Sequence, residues 1–579
     1  MPHRVVTLQF SREGESEALD LDPGRTYQVR VDGGPPGTFS PPWTQEELED
    51  RVETLRNKGD ERPTAELLKQ LGRSLGEALH AVDGVEAALA RRRPDEHVTV
   101  YWAFDYPELS RVPWELATRN QAPYRHLLDD GVSFVRRVPS LIQDPPVTWP
   151  TGRNVSLRLL FAWGQGEGER AAVPHDRHRE ELERICGACG VELDVHEVAT
   201  AEELGELCNR GDEPYHFVHL LAHGAARDGV WGLRLSGQVA RPELIARALH
   251  AGGQGPAVVT VSACDSADER DNSFGSVAYQ LHAYGVPFVL ASQFRLRKPV
   301  SVLSVTRVYE ELLSGGDLRE VLSGLRRQLA VRDDEAWANE VLYTRYRYES
   351  LEELAVVARQ QGALRRANAI ERRARKATPE QAPALIEELE HEHDRLQGLV
   401  ESLDRDESKR AAVAETYGLL GSLRRRMARL RSDPPDPEDL RDARAAYEQG
   451  MLADANSHYC GINVVHLSRL VGDDRKVEEF LEPVRFTARA QMQDDFWALA
   501  TAADLEIYAH RPDEAAELYR EFVRRAAKKA RGKEARERVL LSPKRPLEDL
   551  LREFADDEAI CTGARACLDV IEAALRRNR

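Results

Sequence analysis

The sequence predicts an α/β domain built on a doubly wound parallel sheet, followed by an all-α helical domain. Three observations predict it. Two short apolar runs, Tyr215-His-Phe-Val-His-Leu-Leu-Ala-His223-Gly224 and Pro256-Ala-Val-Val-Thr-Val-Ser-Ala-Cys264-Asp265-Ser266, have the composition of strands buried on both faces of a parallel sheet. Around them, strand-like and helix-like segments alternate from residue 98 to residue 330. From about Asp333 onward the β pattern stops, and helical segments joined by short turns take over.

In chain order, Val5-Val6-Thr7-Leu8 and Thr26-Tyr-Gln-Val-Arg-Val31 read as two strands, and the Gly- and Pro-rich stretch from Gly33 to Pro42 as a loop. Residues 44–58 and 63–92 are helical in pattern, with Leu67, Leu68, Leu71, Leu75 and Leu79 on one stripe. Val98-Thr-Val-Tyr-Trp-Ala-Phe104 is a strand. Val112-Pro-Trp-Glu-Leu116 opens a helical turn with proline near its start, and Val132-Ser-Phe-Val-Arg-Arg-Val138 is a further strand. Asp144 to Pro150 is proline-rich and reads as a linker.

A second α/β stretch begins at Leu157-Arg-Leu-Leu-Phe-Ala162. A helix over 178–189, the strand Glu192–Val198 and a helix over 202–208 lead to the His223 strand. The Arg241–Ala251 helix and the Cys264 strand follow, then helix 274–284, the strand Val286–Ala291, and helices over 298–314 and 317–330. Helical patterns then cover 351–376, 379–403, 407–430, 437–452, 457–471, 474–492, 494–510, 513–530 and 556–577. Prolines at 434, 437, 512 and 546 mark helix starts or turns. The small-residue-rich run Phe496–Ala509 and the helix after His510-Arg-Pro-Asp513 form the clearest helical hairpin. These divisions separate residues 1–145, residues 151–332 and a helical domain over 340–579.

The Arg241–Ala251 segment has the length of a crossover helix, which makes the two flanking strands parallel and places their carboxyl ends on one edge. Open α/β sheets place their sites on that edge. His223 and Cys264, 41 residues apart, then face each other across a cleft. A thiol beside an imidazole is the minimum equipment for nucleophilic acyl transfer.

Composition narrows the alternatives. A chain of 579 residues exceeds one core and suggests three or four domains. A net charge of −18 argues against a nucleic-acid scaffold, and the basic stretches Arg424-Arg425-Arg426 and Lys528 to Arg538 read as solvated helix faces. Met1 to Phe10 is short and strand-like rather than a leader, and no apolar run has the length of a membrane span. Seven cysteines without regular spacing fit a reducing, cytoplasmic compartment. Cys186-Gly-Ala-Cys189 has no second pair at zinc-ligand spacing. His216 and His219 would point to opposite faces of a strand, so one ion does not collect them with His223. No metal or cofactor is expected.

Residues 98–330 resemble the CHAT domain, the caspase-like cysteine peptidase domain often found beside tetratricopeptide repeats. The resemblance rests on Val112-Pro-Trp-Glu-Leu116 ahead of Ser133-Phe-Val-Arg-Arg, then His219-Leu-Leu-Ala-His223-Gly224. It continues through Ser262-Ala-Cys264-Asp265-Ser266-Ala267 and Ala283-Tyr-Gly-Val-Pro-Phe-Val-Leu-Ala-Ser-Gln293. It implies a caspase-like sheet with a degenerate first half and a catalytic second half, Cys264 as nucleophile and His223 as its general base. Gly224 would offer an N–H to the developing oxyanion together with the N–H of Cys264, and Asp265 and Ser266 would shape the cysteine loop. Alone, Cys264 reads as a small buried hydrophobe at a strand end. With His223-Gly224 and the flanking motifs it reads as the nucleophile. Relatives that cleave after basic residues line their specificity pocket with an acid. Here the stretch after the last catalytic strand is Gln293-Phe294-Arg295-Leu296-Arg297-Lys298-Pro299, so an acidic or neutral P1 residue is expected, with Arg295 or Arg297 as the pocket cation.

Tyr447-Glu-Gln-Gly450, Tyr459-Cys-Gly-Ile-Asn463 and Asp495-Phe-Trp497-Ala-Leu-Ala-Thr501 resemble the tetratricopeptide-like domain of the ASK stress kinases, also called TPR-S or the TRAFs-binding domain. The match covers roughly residues 380–530 and implies a sensing or interaction module. Together the two resemblances imply a regulated cytosolic cysteine endopeptidase of a bacterial defence or cell-death system. A protein or small ligand binding residues 340–579 would activate it to cut a protein substrate. The alternative is an idle peptidase fold that serves as a scaffold, with the helical domain as its working surface.

Overall fold

The computed structural model describes residues 3–12, 20–57, 61–90, 97–104, 106–119, 122–127, 132–137, 157–165, 173–209, 214–227, 230–251, 255–265, 274–293, 297–316, 318–332, 337, 339–344, 348–403, 409–529 and 533–578. Its backbone contacts separate residues up to 355 from residues 356–579.

In the first unit, runs rich in Val, Leu and aromatic residues form fifteen strands among the described residues. Those of the first half are β1 (His3–Arg12), β2 (Tyr27–Val31), β3 (Pro36–Phe39), β4 (His97–Phe104), β5 (Thr118–Arg119), β6 (Ala122–His126) and β7 (Val132–Arg137). Then come β8 (Arg158–Trp163), β9 (Glu192–Glu197), β10 (Phe217–Arg227), β11 (Val230–Arg234), β12 (Val239–Ala240), β13 (Val258–Asp265), β14 (Phe288–Ser292) and β15 (Glu340–Thr344). Thirteen of them join one sheet in the order β12-β11-β10-β13-β14-β15-β7-β4-β1-β2-β3, with β8 on the first part of β10 and β9 beyond it. β8, β9, β10, β13 and β14 are mutually parallel. β15 is antiparallel to β14 and parallel to β7, so β7, β4 and β1 of the first half point the other way.

The helices of this unit are α1 (Gln45–Asn57), α2 (Glu61–His80), α3 (Val85–Leu89), α4 (His175–Cys189), α5 (Ala201–Asn209), α6 (Pro242–Leu249), α7 (Phe274–Ala283), α8 (Lys298–Leu313) and α9 (Leu318–Arg332). α4 packs on α8 against one face of the second half, while α5, α6 and α7 follow one another across the other. Covered on both sides, β13 and β14 are mostly apolar, and Val258–Ala263 and Phe288–Ser292 are buried residue by residue. The winding reverses beside β10: the chain leaves β8 outward to β9, then returns across to β10 and onward to β13 and β14.

Two expectations are corrected here. β structure does not stop at Asp333, because Glu340-Val-Leu-Tyr-Thr344 is a fully buried central strand and the helical part starts beyond it rather than at 340. Five residues carry too little periodicity to read alone; β14 and β7 supply the ladder that makes them a strand. The expected loop 33–42 contains β3, hairpinned to β2 through residues 32–35; Asp32 and Gly33, with φ values of 49° and 73°, are the central pair of the turn that closes the Gly34 N–H on the Val31 carbonyl.

Among the described residues the second unit is helical: α10 (Tyr348–Ala374, which starts ahead of the unit boundary), α11 (Ala382–Leu403), α12 (Arg410–Arg431), α13 (Pro437–Ala453), α14 (His458–Leu470), α15 (Asp474–Gln491), α16 (Trp497–Tyr508), α17 (Pro512–Lys529), α18 (Lys533–Glu553) and α19 (Glu558–Asn578). Sequence neighbours pack pairwise as helical hairpins, α12 with α13, α14 with α15, α16 with α17, and α18 with α19. Pro546, expected at a helix start or a turn, lies inside α18 together with Pro543.

Glycine sets the helix spacing. A Cβ on Gly461 would lie 2.4 Å from a methyl of Val484, and one on Gly421 would lie 2.6 Å from the Tyr447 ring. Gly461→Ala is therefore expected to destabilise the helical unit by about 1–3 kcal/mol through overpacking of α14 on α15. A lower unfolding midpoint of that unit in denaturant would support this; an unchanged midpoint would refute it.

Candidate active site

The parallel ladder between β10 and β13 pairs His223 with Cys264 and Gly224 with Asp265. Neighbouring strands stand about 4.8 Å apart, so the two residues of the expected dyad occupy adjoining backbone positions. At this level β10 exchanges one neighbour for another: residues 217–221 pair with β8, and residues 223–227 pair with β11. His223 is thus not at the end of its strand. β10 runs four residues further into a hairpin, and Gly224 stands between Leu233 of β11 and Asp265 of β13. The His223 side chain is only 4% exposed. Ser266 and Arg295 lie outside the described residues. Arg297 is exposed, at the N-cap of α8.

Alternation assigns His219 to the same face of β10 as His223, and Thr260 to the same face of β13 as position 264. On that face, beneath the dyad level, runs a buried chain of polar contacts. His178 Nε2 contacts Ser301 Oγ (3.1 Å), and His178 Nδ1 contacts His219 Nε2 (2.9 Å). His219 Nδ1 in turn contacts Thr260 Oγ1 (2.6 Å), which meets Tyr309 OH at 2.7 Å. The chain ties α4, β10, β13 and α8 together just below the site. Burial holds both imidazoles neutral: it lowers His178 to about 3 and drives His219 well below its ordinary value, where the neighbouring His178 adds to the effect because two protonated rings would repel. His282, on the opposite helix layer, is lowered by burial to about 4.

These three histidines make the first unit acid-labile. Each is neutral when folded but protonates near pH 6.5 once unfolded, so the stabilisation is complete above 6.5 and is lost as pH falls toward the folded values. Each such site steepens the fall by at most about 1.4 kcal/mol per pH unit below about pH 6. The unfolding temperature of this unit should fall steeply between pH 6 and pH 4.5, and His282→Gln should flatten the fall. A flat profile would contradict the assignment.

The other quoted motifs meet elsewhere. Trp114 stacks on Trp102 with centroids 4.5 Å apart, and its neighbour Glu115 enters a buried charge cluster. Arg136 donates through Nε to Glu115 Oε1 (3.1 Å), and its Nη2 pairs with Glu115 Oε2. It also donates to Ser110 O (2.6 Å), Gln293 Oε1 (3.0 Å) and Tyr343 OH (3.4 Å). Gln293 Nε2 donates back to Glu115 Oε2 (3.1 Å). Arg326 of α9 lies 3.8 Å from Glu115 and donates to the Glu340 carbonyl. Burial would lower the Arg136 pKa, but Glu115 and Tyr343 outweigh it and raise it; burial lowers Arg326 to about 10. Sequence reasoning quoted Glu115, Arg136 and Gln293 only as matches and missed Arg326, which lies in no motif.

Among the described residues no group of three His, Cys, Asp or Glu side chains could hold a metal ion. His216 Nδ1 accepts from the Arg158 N–H while His219 pairs with His178, so the histidines of this strand do not converge. Cys186 and Cys189 are buried on α4, and burial lifts the Cys186 thiol to about 12, which keeps it protonated.

A family model for the CHAT domain matches residues 67–361, half of the chain. The chain belongs to the CHAT family. A second model, Tetratricopeptide Repeats-Sensor (TPR-S), matches residues 330–468. The CHAT region is thus followed by a TPR-S region; the two matches overlap at residues 330–361, and the second ends at 468, within α14. The CHAT domain belongs to the caspase-like cysteine peptidase clan, whose members include inactive forms. The TPR-S region suggests protein interactions. No curated protein matches the chain. Among the described residues no helix is long and apolar enough to cross a membrane.

Proposed function

We propose that this CHAT protein is a cysteine endopeptidase in which Cys264 is the nucleophile and His223 its general base. The observation that supports this reading most is the register that sets residue 223 beside residue 264 on adjoining parallel strands. His223 takes the thiol proton, and the thiolate attacks the scissile carbonyl carbon to give a tetrahedral oxyanion. Collapse expels the amine, which takes the proton from His223, and water then hydrolyses the thioester. The N–H of Cys264 and that of Gly224 would stabilise the oxyanion. For Gly224 this requires the ladder to β11 to open locally, since strands flank it on both sides. Asp265 and Ser266 would shape the turn after the nucleophile.

The low exposure of His223 supports a resting state: a peptide carbonyl reaches an imidazole that is 4% exposed only after local opening. Binding of a protein or small ligand to the TPR-S region, within residues 340–579, would favour that open state. The substrate is a protein, the setting a bacterial defence or cell-death system in the cytoplasm, and neither cofactor nor nucleic acid takes part. With Arg295 and Arg297 following β14 and no carboxylate between Gln293 and Pro299, the favoured P1 residue is acidic or neutral.

Mapping of new protein termini after induction, wild type against Cys264→Ala, tests this. Termini that appear only with wild type, preceded by acidic or neutral residues, support it. Dominant cleavage after Arg or Lys would remove the pocket assignment. Identical termini from both proteins would instead favour a scaffold.

A further inference from the structure

We infer that Arg234 selects an acidic substrate residue on the leaving-group side of the scissile bond, at P1′ or P2′; this rests on the peptidase reading above and deepens it. In the antiparallel ladder between β10 and β11, Arg234 is the direct partner of His223. Paired residues of neighbouring strands share one face of a sheet. Burial agrees, because α6 and α7 pack on β11 where Leu233 is fully buried, and Arg234 emerges half-buried on the other face. That other face is the one on which His219, alternating with His223, meets His178 of α4. Positions 234, 223 and 264 thus stand in a row across β11, β10 and β13.

The order of the row decides which part of a peptide meets Arg234. The acyl group stays on the sulfur of Cys264, while the departing amine takes its proton from His223. The peptide beyond the scissile bond therefore leaves over β10. Arg234 is the next residue outward on that side. The stretch after β14, to which the P1 preference is assigned, lies on the opposite side of β13, so the two selections are separate.

The arginine is firmly mounted. Gly164, just past β8, comes so close that a Cβ on it would lie 2.7 Å from the Arg234 carbonyl oxygen and 2.6 Å from Leu235 Cα. The Gly164 N–H donates to Leu221 O (2.9 Å), the Leu235 N–H to Gln238 O (2.8 Å) and the Ser236 N–H to Val198 O (2.9 Å). Trp163, level with Leu221 on the same face, stacks on His175 with centroids 4.0 Å apart. It supplies an apolar wall two residues, roughly 7 Å, behind the level of His223. Carboxylates of this rim are engaged elsewhere: Glu197 accepts from Ser236 Oγ (2.6 Å), and Asp176 pairs with Arg179 (3.2 Å). Among the described residues Arg234 has no ion pair or side-chain hydrogen bond of its own. A permanently charged fork held beside the base, with its donors uncommitted, suits bidentate capture of a carboxylate.

The test uses the full-length chain and a synthetic peptide library randomised from P3 to P3′, with cleavage products read by mass spectrometry. Wild type, Arg234→Gln, Arg234→Lys and Arg234→Glu are compared, together with unfolding temperature and the rate at which iodoacetamide alkylates Cys264. Wild type should favour Asp or Glu over Asn or Gln at P1′ or P2′ by about tenfold, the worth of one charge-assisted contact at a half-exposed site. Arg234→Gln should remove that preference, Arg234→Lys should keep part of it, and Arg234→Glu should turn it toward Lys or Arg. The P1 preference, the unfolding temperature and the alkylation rate should stay as in wild type. Hydrolysis by wild type with no acidic preference on the primed side, or the same preference in Arg234→Gln, would overturn the inference and leave the peptidase intact. Loss of folding in all three variants would also overturn it, marking a structural role. A wild-type chain with no peptide hydrolysis, and with Cys264 alkylated no faster than in His223→Ala, would remove the peptidase reading and this inference with it.

Discussion

Cys264→Ala is expected to abolish peptide hydrolysis, with a loss of at least about 10³-fold in kcat, and His223→Ala to come close to it. The two effects should not add. Once the thiolate is gone the imidazole has no proton to take, and without the imidazole the thiol remains protonated at neutral pH. The double variant should be no slower than the worse single one. A double variant slower by the product of the two losses would mean that the residues act independently, against their adjoining places on β10 and β13. Equal activity of wild type and both single variants would remove the catalytic assignment altogether.

The second large effect is on stability. Glu115→Ala leaves Arg136 charged, 1% exposed and stripped of its ion-pair partner. Breaking one side of a buried pair costs about 3–5 kcal/mol, because the remaining charge is stranded in a poorly polarisable interior. Replacing both partners with apolar residues, Glu115→Leu with Arg136→Met, should cost much less. Tryptophan fluorescence reports the transition, since Trp114 adjoins Glu115 and stacks on Trp102. A loss under about 1 kcal/mol for the single variant would show that the charge is not isolated as described.

The parts of the fold that read well from the sequence are those whose pattern is local. Val258–Ala263 and Phe217–Ala222 are long enough and apolar enough to declare strands buried on both faces, and the crossover between them makes those strands parallel. What did not read is what needs a distant partner. Glu340–Thr344 becomes a strand only because β14 and β7 stand ready on either side. Pro36 and Gly37 signal a turn, yet they pair with β2 as a hairpin arm. α18 carries Pro543 and Pro546, which broke its helical pattern, while its buried Leu540, Leu547 and Leu550 keep it packed.

The site divides the same way. The motifs pointed to His223 and Cys264, and the register sets those two positions side by side. The hairpin continuation of β10 past His223 was invisible, because Gly224-Ala-Ala carries no strand signal of its own; β11 supplies it. Arg326 gave no sign in sequence either. It is one arginine among several on α9, and only the fold turns it toward Glu115 rather than solvent. Its burial follows from the meeting of two halves of one sheet, which no local window contains.

The central claim is that an imidazole activates the Cys264 thiol, and the pH dependence of Cys264 alkylation tests it most directly. Iodoacetamide reacts with the thiolate, needs no substrate and reports on one sulfur when followed by mass spectrometry. Wild type should alkylate at Cys264 with an apparent pKa clearly below the ordinary thiol value of about 8.5, and His223→Ala should return it toward that value. The same profile in both proteins, at the rate of an ordinary buried thiol, would contradict the account.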